Sequence, residues 1–312
     1  MARRHGRRRE APGPSGFLVV DKPHGVTSHD MVDAARRWLG TRAVGHLGTL
    51  DPLATGVLPL AIRRATKLVS FVDGTKTYWS RIRLGVETDT LDADGTERAR
   101  HEGPLPDEAA VAEALTAFEG DVSQVPPMYS AVKQGGVPLY KLARRGEEVE
   151  RAPRRVHIES VRLIRYAAPD LEIEVVCSPG TYVRVLAQDL GRALGCGGHL
   201  ADLRRTRNGP FGIELAATPE TLEAAAEEGK LDARLIAPAE GVGLPQLTLD
   251  PGQLQRVIHG GEIRSGALVH EALGRRYAAV DRDGDLVAIL ELGPAGMLAP
   301  LRVLRAAGGG GV

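Results

Sequence analysis

Apolar and polar positions recur along this chain with two different periods, and the changes between them mark out its elements. Phe17, Leu18, Val19 and Val20 form a continuous apolar run that stops at Asp21-Lys22-Pro23, the pattern of a short buried strand. Met31, Val32, Ala35, Trp38 and Leu39 then follow helical spacing, with Thr27 or Ser28 as the N-cap and Gly40 as the stop. From Tyr78 the period drops to two: Tyr78, Ser80, Ile82 and Leu84 stand opposite Trp79, Arg81 and Arg83, which predicts a strand. Pro106 and Asp107 open a helix with Val111, Leu115 and Phe118 on one face, closed by Gly120. Residues 156–166 and 171–177 alternate again and are predicted to pair as neighbouring antiparallel strands. A helix follows Thr181, with Val183, Leu186, Leu190 and Leu194 inward and Gly195 as its stop.

Three stretches depart from these patterns. Residues 1–15 hold almost nothing that can be buried and read as a disordered basic arm, so that order begins at Gly16. Residues 45–59 fit neither period and read as a glycine-bounded loop with a polar centre. After Pro245, short strands such as 277–280 and 286–292 alternate with turns like Asp283-Gly284, reading as a small β domain that ends near Leu304. The fold class expected is α+β: a mostly antiparallel sheet flanked by helices, plus a small C-terminal β domain, with no internal repeat.

Composition narrows the chemistry. With 312 residues and 43% hydrophobic positions the chain can bury a sizeable core. No apolar run approaches a membrane span and the first residues do not form a signal peptide, so the cytoplasm is the expected location. Cys177 and Cys196 form neither a disulfide framework nor a CxxC pair, and read as small buried hydrophobes. No helical His pair, P-loop or complete dinucleotide fingerprint is present, so neither metal nor cofactor is expected. Formal net charge is zero, yet phosphate binding depends on local patches, and basic residues concentrate between Lys133 and Arg155 and at Arg204, Arg205 and Arg207.

Within residues 45–59 stands Asp51, ahead of Pro52 and near His46. An Asp before Pro is ordinarily a turn former or a helix cap. Flexible glycines and surrounding apolar residues give this one a second reading, a carboxylate in a partly dry cleft that can attack a sugar anomeric carbon.

The segment GHLGTLDPLATGVLP resembles the catalytic motif of the TruB family of tRNA pseudouridine-55 synthases, and five further blocks follow in family order. Gly74-Thr75-Lys76-Thr77-Tyr78 resembles the KxY motif, and RLGVETDTLDADG (from Arg83) and QVPPMYSAVKQGGVPLYKLARRG (from Gln124) resemble two more blocks. CSPGTYVRVLAQDLG carries the family arginine at Arg184, and LRRTRNGPF, from Leu203, closes the catalytic region. The resemblance spans Gly16 to about Gly212; one departure is Leu47, where the family usually has a small or polar residue.

The resemblance implies a catalytic domain over residues 16–240 and a PUA-like RNA-binding domain over 244–306. It implies that Asp51 is the essential carboxylate, either attacking C1′ or removing a ribose proton. An acting Asp51 must be ionised, which burial disfavours, and Arg184 is its implied counter-charge. Tyr78 would stack on the uracil and help remove the C5 proton, and His46 would fill the stack left by a flipped base. Tyr182 and Leu203 would line the pocket, and Lys76 would bind substrate. Lys22 would either meet phosphate or support the Asp51 loop. Each has a plainer alternative: core tyrosines, a surface arginine, a His satisfied by a loop carbonyl. The implied partner is the T-arm stem-loop of tRNA, handled by a monomer without membrane, metal, cofactor or obligatory protein partner. Two rivals are a guide-RNA-dependent enzyme sharing this core, and an RNA-folding chaperone whose catalytic residues are vestigial. The basic arm from Arg3 to Arg9 would add salt-dependent affinity.

Overall fold

In the computed structural model residues 13–304 are described; the arm from Arg3 to Arg9 and the glycine tail after Leu304 lie outside them. The first strand, β1 (Gly16–Lys22), leads through a turn to helix α1 (Ser28–Trp38), then β2 (Val44–His46), β3 (Thr55–Ile62) and β4 (Lys76–Leu84). Helix α2 (Glu108–Thr116), strands β5 (Gly120–Gln124), β6 (Arg154–Ala167) and β7 (Asp170–Cys177), helix α3 (Val183–Ala193) and β8 (Gly198–Asn208) complete the large sheet and its cover. Its seven main strands run β1-β3-β8-β4-β7-β6-β5, with β2 paired to β3. Every pairing along that path is antiparallel except β3 with β8, where Thr55 and Gly56 lie beside Arg204 and Arg205.

The continuous apolar run of β1 follows from burial on both faces. Leu18 and Val20 join a core with Met31, Val32 and Ala35 of α1 and with Leu58, Leu60, Ile82, Ile173 and Leu186. Phe17 and Val19 point the other way, into a second core with Val57, Ala61 and Phe211, where the Phe17 and Phe211 rings sit 5.3 Å apart. Thr27 caps α1 as expected, in a capping box with Asp30.

A second sheet follows helix α4 (Pro219–Glu227). It consists of β9 (Gln246–Thr248), β10 (Ile263–Arg264), β11 (Arg276–Val280), β12 (Leu286–Leu292) and β13 (Met297–Val303) in the order β9-β11-β12-β13-β10, with helix α5 (Pro251–Ile258) packed on it. Ala278 and Ile289 of this sheet enter the same core as Phe17 and Phe211.

Several sequence expectations change. Order begins before Gly16, because Arg63 donates to the Pro14 carbonyl and the Arg64 amide to the Ser15 hydroxyl. The irregular stretch shrinks from 45–59 to residues 47–54, flanked by β2 and β3. Its glycines and Pro59 suggested a break, but Pro59 lies in a strand, where its carbonyl accepts from the Leu47 amide. Gly120 opens β5 at φ 88° rather than closing α2, which ends at Thr116. Among the described residues no helix is long and apolar enough to cross a membrane.

Candidate active site

Asp51 sits in the loop between β2 and β3, and side chains from three other elements hold that loop. Asn208 of β8 donates its amide to the Leu47 carbonyl at 2.9 Å. Arg205, three residues earlier in the same strand, donates to the carbonyls of Gly48 (3.0 Å), Thr49 (3.4 Å) and Val57 (2.7 Å). Ser28, at the start of α1, takes the Leu50 amide and donates to the Leu50 carbonyl, at 2.8 and 2.9 Å. Lys22 of β1 is fully buried and its ammonium donates to the carbonyls of Pro23, Val26 and Pro52. Carbonyls 47, 48, 49, 50 and 52 are thus all engaged, which fixes a segment with no ladder of its own.

The Asp51 carboxylate is paired with the Arg184 guanidinium at 2.9 Å. Arg184, on the first turn of α3, is 4% exposed, whereas the Asp51 side chain keeps 37% of its surface open. The guanidinium also donates to the carbonyls of Thr90 (3.0 Å) and Tyr129 (2.8 Å), and a second carboxylate, Asp92, stands 3.5 Å from it. Burial pushes the Asp92 carboxyl up, against the opposing pull of the Thr90 hydroxyl and of Arg184. A buried arginine shared in this way gives Asp51 a fixed positive partner while one side of the carboxylate remains open to a cavity.

That cavity is about 470 Å³ and is lined by Asp51, Lys76, Tyr78, Tyr182, Arg184 and Leu203, among others. Tyr78 is buried at its wall, and burial pushes its phenol up, opposed by the nearby charge of Arg205. Lys76 donates to the Gly74 carbonyl, and burial brings its ammonium down to about 8. His46 lies at the end of β2; burial, then Arg205, lowers it, and its Nδ1 accepts from the Gly48 amide, a loop N–H rather than a loop carbonyl. Tyr182 precedes α3, where the Gln124 side chain clamps its backbone from both sides, accepting from the amide at 2.9 Å and donating to the carbonyl at 3.3 Å. Leu203 of β8 is buried against the same space. Seven of the eight residues singled out from the sequence therefore meet around this cavity or its flanking loop. Lys22 lies beneath, and of its two possible roles its placement supports the second, bracing the Asp51 loop. Leu47, the departure from the family pattern, turns its side chain into the core with Phe17 and Phe211.

Other expectations fare differently. The basic cluster at Arg204, Arg205 and Arg207 is divided between one buried and two partly exposed side chains. Arg204 pairs with Asp21 at 2.7 Å, Arg205 is fully buried, and Arg207 stands 3.9 Å from Glu214. Between Lys133 and Arg155, by contrast, Lys133, Lys141 and Arg154 are exposed. Asp92, Gln124, Arg205 and Asn208 were not singled out from sequence as parts of the site. Asp92 is one of three aspartates within six residues, and nothing in the local sequence separates it from Asp89 and Asp94. Both cysteines are buried and free. Among the described residues no group of three or more His, Cys, Asp or Glu side chains could hold a metal ion.

Known proteins resemble this chain along most of its length. Residues 36–183 match the family model described as TruB family pseudouridylate synthase (N terminal domain), and 184–242 match that of the tRNA pseudouridylate synthase B C-terminal domain. The join at 183/184 falls at the start of α3, inside the large sheet's cover, and both matches end before β9. A tRNA pseudouridine synthase B of Chromohalobacter salexigens is 42% identical over 96% of this chain and 98% of its own length. One of Aromatoleum aromaticum is 49% identical over 78% of this chain and 80% of its own. A chain in the crystal structure of a Cbf5-Nop10-Gar1 complex superposes with TM-score 0.71 at 25% identity, covering 93% of this chain and 85% of that one. With the matched domains spanning the whole Asp51–Arg184 site, and relatives this similar along nearly its full length, the chain belongs to the TruB family of pseudouridylate synthases.

Proposed function

We propose that this chain isomerises the T-loop uridine of tRNA, position 55, to pseudouridine, with Asp51 as the essential carboxylate. The observation that carries this reading is the Asp51–Arg184 ion pair opening onto a cavity that Tyr78 also lines. The reaction breaks the N1–C1′ bond, turns the uracil over and joins C5 to the same C1′. Atoms balance without an added reactant, so ordinary side chains suffice.

Asp51 acts at the ribose, by attack on C1′ or by removing a ribose proton, and Arg184 keeps it ionised and aimed. Tyr78 stacks on the uracil, and its hydroxyl takes part in removing the C5 proton once C5 has bonded to C1′. The base reaches the cavity only after leaving the T-loop stack, and His46, on the loop's near flank, fills the gap. Lys76, Tyr182 and Leu203 shape the space around the base, and Lys22 keeps the Asp51 loop in register.

Exposed Lys133, Lys141 and Arg154 supply charge for the RNA backbone. The second sheet, within residues 244–306, is read as a PUA-type domain that extends contact toward the acceptor end. The enzyme works as a monomer in the cytoplasm and needs no protein partner, unlike a guide-RNA-dependent enzyme with the same core.

The test is pseudouridine mapping of an unmodified tRNA transcript incubated with purified protein alone. Wild-type protein is expected to convert the T-loop uridine and Asp51→Asn to bind the RNA without converting it. Binding by both proteins with conversion by neither would defeat the catalytic reading in favour of a chaperone role. Conversion that begins only when other proteins are added would favour the guide-dependent one.

A further inference from the structure

Arg205 is the least expected residue of the site. It is fully buried; its three nitrogens donate to the backbone carbonyls of Gly48, Thr49 and Val57, and the side chain also interacts with the Tyr78 phenol. No carboxylate pairs with it among the described residues. Burying a guanidinium without an anion is costly, since carbonyl dipoles return only part of its hydration. A structural need for three hydrogen bonds does not by itself require a permanent charge there.

Its place in the sheet is equally particular. β8 lies between β3 and β4, and Arg205 is opposite Gly56 on one side and Tyr78 on the other. The approach to β3 is so close that a Cβ on Gly56 would stand 2.2 Å from the Arg205 carbonyl oxygen. Cross-strand partners present their side chains on one face, so the guanidinium and the Tyr78 phenol share the space beneath the Asp51 loop. The other titratable groups bearing on that space are Lys22 of β1, His46 of β2, Lys76 of β4, Cys177 of β7 and Asp51 itself.

We propose that Arg205 is a positioning residue of the reaction: its guanidinium fixes the Asp51 loop against the strand carrying Tyr78 and presents its carboxylate-free charge to the phenol. This rests on the roles proposed above for Asp51 and Tyr78. The loop contacts set where the carboxylate meets C1′, because the carbonyls they hold lie two and three residues before Asp51. The charge acts at the later step. The Tyr78 phenol releases its proton to solvent, and the phenolate then takes the C5 proton. The C5–H electron pair moves into the C5–C6 bond, and N1 takes a proton from solvent, leaving pseudouridine and a neutral phenol. A cation facing the phenol favours its ionised form, the direction in which Arg205 already opposes burial.

The experiment measures single-turnover pseudouridine formation on a tRNA transcript from pH 6 to 10, with tRNA affinity and thermal melting in parallel. Wild-type, Arg205→Lys, Arg205→Met and Tyr78→Phe proteins are compared. Both Arg205 variants are expected to bind tRNA within about twofold of wild type and to react about 10- to 100-fold more slowly, the scale of a displaced catalytic group. Arg205→Lys, which retains the charge, keeps the wild-type pH profile. Arg205→Met moves its rising limb up by about one pH unit, as loss of a neighbouring cation requires. A rate within twofold of wild type, or an affinity that falls in step with the rate, overturns the proposal. If Arg205→Met does not fold, Arg205→Lys decides: slow reaction at full affinity with an unmoved profile supports the proposal, and the wild-type rate overturns it. Tyr78→Phe reacting at the wild-type rate would instead remove the role given to Tyr78, a result separate from either Arg205 outcome.

Discussion

Two buried arginines flank this site and are used in opposite ways. Arg184 meets two carboxylates and two carbonyls, so its charge is matched, whereas Arg205 meets carbonyls and the Tyr78 phenol but, among the described residues, no carboxylate. The lysines around them respond to burial by losing affinity for their protons: Lys22 and Lys76 both fall to about 8 from an ordinary 10.5. Between those values the unfolded chain binds more protons than the folded one, so stability rises with pH across that window and is lost as pH falls toward 8. The melting temperature is therefore expected to climb between pH 8 and 10, and Lys76→Met to flatten part of that climb. An identical slope in the two proteins would show that Lys76 keeps an ordinary affinity for its proton. At this scale Asp51 was legible because its neighbours suit a loop that must do something besides turn. Asp92 was not, because only the fold brings it to Arg184 rather than Asp89 or Asp94.

At the scale of elements, β8 shows what periodicity can and cannot deliver. Leu203 and Arg205 are two apart, so a strand puts both on the inward face, and both are buried. A register shift between Arg205 and Arg207 then turns Asn208 inward, where it holds the Leu47 carbonyl, and leaves Arg207 outside. Three arginines and an asparagine in one block hid this central strand behind the appearance of a charged surface. Helices α4 and α5 were also passed over, though Thr218-Pro219 and Asp250-Pro251 are sound N-terminal signals that the structure uses as caps. Helix α3 supplies a test of packing against propensity. Replacing a helical glycine by alanine ordinarily stabilises, but a Cβ on Gly191 would meet the Gly197 carbonyl carbon at 2.2 Å. Gly191→Ala is expected to destabilise by about 1–3 kcal/mol in urea unfolding, the range of an overpacked contact. A stabilised variant would mean that the α3–β8 contact is looser than it stands here.

For the whole molecule the consequential feature is the core shared by the two sheets. Ala278 and Ile289 pack with Phe17, Val57 and Phe211, and Val57 follows the Asp51 loop directly in β3. Calorimetry of the full chain is expected to show one cooperative transition, and a chain ending at residue 244 to melt lower, with Phe17 and Phe211 partly uncovered. Two separate transitions would make the second sheet an independent unit. By itself, the sequence determined the period of most strands and helices, the two-sided burial of β1, the small β region after Pro245 and the identity of the central chemistry, all carried by residues close together in the chain. Only the tertiary structure decided which segments became neighbours: β8 between β3 and β4, Arg205 against carbonyls 148 to 157 positions away, Asp92 against Arg184, and Lys22 turned inward. The physical reason is that local period reports which face of an element is buried. The partner across that face is selected by packing and hydrogen-bond satisfaction over the whole chain.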